Sequence, residues 1–119
     1  METTQLQNET LIQLIIAARY QDGKLSLSEA GAAQNRIGAM NWDSGTAVGV
    51  FIQQATATVR EALQSSDTKH RFLKSACSVF ETPEAKTDVI DTLEKVVAAD
   101  GIDPKEHVFL QEIKNYLGH

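Results

Sequence analysis

The sequence predicts an all-α fold, a compact helical bundle of about six to seven helices with an internal pseudo-twofold repeat. Three observations predict it. Apolar residues recur along most of the chain at spacings of about three to four residues, the period of one helical face. No segment shows the strict alternation of a half-buried strand. Between the apolar runs stand helix stops and starts, among them Asp22-Gly23, Ser65-Ser66-Asp67, Thr82-Pro83 and Asp100-Gly101.

In chain order, the run from Leu11 to Ala18 is apolar nearly all round and is broken only by Gln13, so the first helix is expected to pack on several sides. It ends at Asp22-Gly23. Ser26-Leu27-Ser28-Glu29 is a capping box for a second helix, which sets Leu27, Ala30, Gly31, Ala33 and Ile37 on one face and turns Gln34, Asn35 and Arg36 away. Met40 to Gly45 breaks the periodicity with turn-forming residues, and Trp42 is expected to pin that loop to the core.

From about Thr46 to Leu63, the residues Val48, Phe51, Ile52, Ala55, Val59, Ala62 and Leu63 share one helical face, with Gly49 as a weak point. Ser65-Ser66-Asp67 offers an N-cap to a fourth helix whose stripe is Phe72, Leu73, Ala76, Val79 and Phe80. At Thr82-Pro83 a hydroxyl cap precedes a proline at the first helical position, where no amide donor is needed. The fifth helix is predicted to run to Ala99. Val89, Ile90, Leu93, Val96 and Val97 form its buried side, and Glu84, Asp88, Asp91 and, less regularly, Glu94 form an acidic outer stripe.

Gly101 then stops that helix, because glycine takes the left-handed conformation without a Cβ penalty. Asp103, Pro104 and Glu106 open the last helix as cap, first residue and capping-box partner. It spans Pro104 to Leu117, turns Phe109, Leu110, Ile113, Tyr116 and Leu117 inward, and closes at Gly118.

A chain of 119 residues has room for one domain with a true core. Residues 11–119 are expected to form it, behind a flexible N-terminus at 1–10. A hydrophobic share of 42% and a charged share of 23% are those of a folded soluble protein, not of a disordered one. The net charge of -5 lies mostly from Glu61 onward and would repel phosphate, so nucleic acid is not an expected partner. Cys77 is the single cysteine, which excludes an internal disulfide framework and fits a reducing compartment. The polar stretch Met1 to Asn8 lacks the order of a signal peptide, and no apolar run reaches membrane-spanning length. A cytoplasmic location without direct membrane insertion is expected.

Catalytic patterns are missing from the sequence. No Ser-His-Asp or Cys-His arrangement can be assigned, and no glycine-rich phosphate loop is present, so the chain is read as no enzyme. His70 and Cys77 are seven residues apart on one predicted helix, but two ligands do not make a zinc site, and Cys77 is read as core. His107 and His119 read as solvated. The acidic stripe is a candidate docking face for a basic protein partner, with Lys69, Arg71 and Lys74 as a small opposite patch; a solvated helix face is the plainer reading.

Two stretches repeat each other. Ile16 to Gly23 and Val97 to Gly101 are both apolar helix ends closing in Asp-Gly, and each is followed by a capped helix with a glutamate in its first turn. The carboxylates of Asp22, Glu29, Asp100, Asp103 and Glu106 form a candidate site for a hard cation, Ca2+ or Mg2+, which favours oxygen ligands. Neither corner has the alternating pattern of an EF-hand. Helix capping accounts for the same residues without a metal.

On Ala18 to Glu29 and Ala98 to Glu106, and on their separation by intervening helices, the chain resembles the TerB-like family as a divergent member. It departs from the family pattern at Tyr20-Gln21, where alanine usually precedes the aspartate, and its second loop is shorter. The resemblance implies a helical domain, cation binding by acidic residues at the corners, and protein contacts in a stress response related to tellurite resistance. A metal-dependent enzyme or ion-storage module using both corners, and a homodimeric scaffold, are the other functions the sequence admits.

Overall fold

A computed structural model describes residues 5–19, 37–38, 42, 45–98 and 104–118. Among these the secondary structure is wholly helical: α1 (Gln5–Arg19), α2 (Val48–Ala62), α3 (Ser66–Cys77), α4 (Pro83–Ala98) and α5 (Pro104–Leu117). The predicted second helix is represented by Ile37, which packs against the core, and Gly38. The rest of it, both Asp-Gly corners and therefore the predicted repeat lie outside the described residues.

Helix α1 lies at the centre and packs against α2, α4 and α5. Its all-round apolar sequence is the reason: Leu11, Ile12, Leu14, Ile15, Ile16, Ala17 and Ala18 are all buried, which no single flanking helix would achieve. The helix includes Gln5 to Thr10, so the stretch 5–10, expected to be flexible, is part of the central helix. Its polar side chains are compatible with this. The buried Thr10 returns its hydroxyl to the Leu6 carbonyl at 2.8 Å, which satisfies a group that would otherwise be costly to bury. Gln7 donates to the Val79 carbonyl at 3.5 Å, linking this part of α1 to the segment after α3.

Helices α2 and α3 are joined by a short turn and touch each other. Ala55 and Val59 of α2 are buried, and Val48, Phe51, Ile52 and Leu63 pack around them as the helical spacing predicts. Trp42 lies 5.3 Å from Phe51, ring centroid to centroid, and its indole N–H donates to the Thr46 carbonyl at 2.9 Å. This anchors the segment before α2. At the turn, the Ser65 hydroxyl accepts from the Thr68 amide at 3.2 Å, while the Thr68 hydroxyl donates to the Ala62 carbonyl at 2.7 Å and ties the two helix ends together.

The stripe predicted through Phe80 is cut short, because α3 ends at Cys77. Val79 and Phe80 still turn inward, through short-range bonds from their amides to the Ala76 and Cys77 carbonyls at 3.2 Å each. A tight turn thus buries Phe80 where a continued helix had been expected.

Helix α4 opens at Pro83 as predicted, with the Thr82 hydroxyl accepting from the Ala85 amide at 3.1 Å. Ala85, Val89, Ile90, Leu93 and Val96 face the core. Helix α5 contacts α1, α3 and α4. Phe109, Leu110, Ile113 and Leu117 are buried, Tyr116 is half-buried, and Gly118 closes the helix with a φ of 70°. The radius of gyration, 13.2 Å, is near the roughly 13.5 Å expected of a compact chain of this length. No helix among the described residues is long and apolar enough to cross a membrane.

Candidate functional site

The apolar side of α4 determines what its other side presents. With Val89, Ile90, Leu93 and Val96 held in the core, Glu84, Asp88 and Asp91 follow one another at helical spacing on the outer face. Glu84 and Asp91 are exposed and Asp88 is half-buried. Together with Pro83 and Thr87 they line an open groove of about 420 Å³ along the first turns of the helix. Among the described residues that line it, three are carboxylates and none is a base, so this wall of the groove is acidic.

Glu94, the fourth member of the predicted stripe, belongs elsewhere. Its carboxylate lies 3.3 Å from Lys114 on α5, in an ion pair at the rim of the α4–α5 contact. Thr87 joins the groove in its place. The sequence carries no sign of Thr87's role, since a threonine between two acidic positions resembles any solvated helix residue.

Of the basic residues expected opposite, Lys69 and Arg71 each meet a carboxylate. Lys69 lies 3.4 Å from Glu112 and 5.9 Å from the centroid of the Phe109 ring, so it serves the α3–α5 seam. Arg71 pairs with Asp67 one turn away at 3.0 Å. Lys74 is exposed. Sequence spacing alone does not show which cations a neighbouring helix will engage.

His70 and Cys77 occupy different environments despite their spacing. His70 is exposed and its Nδ1 meets the Tyr116 hydroxyl across the α3–α5 seam. Cys77 is buried, and desolvation raises its thiol from 9.0 to about 11, so it stays protonated and is a poor nucleophile near neutral pH. His107 is exposed, and His119 lies outside the described residues. Among the described residues no three His, Cys, Asp or Glu side chains come together in a way that would hold a metal ion.

Of the carboxylates predicted to hold Ca2+ or Mg2+, Asp22, Glu29, Asp100 and Asp103 lie outside the described residues. Glu106 has its backbone in α5, and its side chain lies outside the described part as well. The described residues form an electrostatic feature: a negatively lined groove on a helix whose far side is fixed in the core.

Compared with known proteins, the chain matches no family model, no curated protein and no solved structure.

Proposed function

We propose that this protein is a non-enzymatic helical interaction domain that docks a basic segment of a partner protein along α4. The observation that carries the reading is the groove lined by Glu84, Asp88 and Asp91. Like charges on one rigid face favour a cationic partner and speed its encounter, and the core contacts of Val89 and Leu93 hold that face in place. The wider setting, a TerB-like domain in a tellurite-type stress response, rests on the resemblance of the two Asp-Gly corners. So does the proposal that Asp22, Glu29, Asp100, Asp103 and Glu106 bind Ca2+ or Mg2+.

The test of the docking face is a titration with a lysine-rich peptide at two salt concentrations. Binding that weakens with added salt and is lost in a Glu84→Gln/Asp91→Lys variant of unchanged helical content supports the proposal. Equal binding by the wild type and the variant overturns it. The cation proposal is tested separately by calorimetry of the wild type and an Asp22→Asn/Asp100→Asn variant. Absence of heat in the wild type at millimolar Ca2+ or Mg2+ removes it.

A further inference from the structure

We draw no further inference here: the strongest candidate, the open groove along the first turns of α4, belongs to the face already described, and its acidic cluster has no second feature among the described residues that points to a ligand of its own.

Discussion

The Tyr116 hydroxyl on α5 meets Nδ1 of His70 on α3, with the two ring centroids 5.5 Å apart and the planes tilted by 53°. Beside them Lys69 reaches Glu112, and Phe109 lies buried beneath, so polar groups close the rim of an apolar seam. Tyr116→Phe keeps the ring and removes the hydrogen bond. It is expected to lower stability by about 0.5 to 1 kcal/mol in urea unfolding. A double-mutant cycle with His70→Ala isolates the pair, and strict additivity would show that the contact contributes nothing.

Thr82 caps α4 through its side chain, and Pro83 follows at the position where a missing amide donor costs nothing. Thr82→Ala should destabilise the protein by about 1 kcal/mol, while Thr82→Ser should remain close to the wild type. Thermal unfolding of the three proteins makes the comparison. An alanine variant as stable as the wild type would mean that the amide is satisfied by solvent.

Two leucines of α1 should respond very differently to replacement by alanine. Leu14 is fully buried and Leu6 is 61% exposed. Leu14→Ala is expected to cost about 2 to 5 kcal/mol through lost transfer energy and the cavity left behind. Leu6→Ala should stay within about 0.5 kcal/mol. Chemical denaturation of both variants checks the central placement of the helix.

Cys77 provides a pH-dependent term of defined sign. Its folded thiol titrates near 11, against an ordinary value of 9.0, so the unfolded chain releases this proton first as pH rises. The contribution is whole below about pH 9 and is lost as pH climbs towards 11. The wild type should therefore lose more stability across that interval than Cys77→Ala does. In thiol labelling near neutral pH, native protein should react slowly and denatured protein quickly. Rapid native labelling would contradict the burial.

Gly49 lies exposed in the first turn of α2, and a Cβ built there meets nothing within 4 Å. Gly49→Ala should stabilise the protein by about 0.5 kcal/mol, because alanine reduces the conformational freedom of the unfolded chain and fits the helix. The expected sign in thermal unfolding is a higher midpoint.

Much of the helical layout was legible in the sequence because its causes are local. Thr82-Pro83, Ser65 and Gly118 mark helix ends through their own backbone and side-chain chemistry, and the structure places α4, α3 and the close of α5 by them. The first described turns of α1 were not legible. Gln5 to Thr10 looks like a polar tail, and only the carbonyls of Leu6 and Val79 show how Thr10 and Gln7 are accommodated. The end of α3 was hidden for a related reason: Val79 and Phe80 continue the apolar spacing while a turn, not a helix, delivers Phe80 to the core.

The candidate face divides in the same way. The sequence by itself determined that α4 has a buried side and an acidic side, since a period near 3.6 residues assigns each position to a face. Only the tertiary structure decided which charges belong to the groove. Glu94 is drawn to Lys114 and Lys69 to Glu112, because charges on neighbouring helices meet at distances that one helix's periodicity cannot encode. Glu84 and Asp91 stand exposed on the outer side of α4, and with the half-buried Asp88 they line the open groove that makes α4 the proposed docking face.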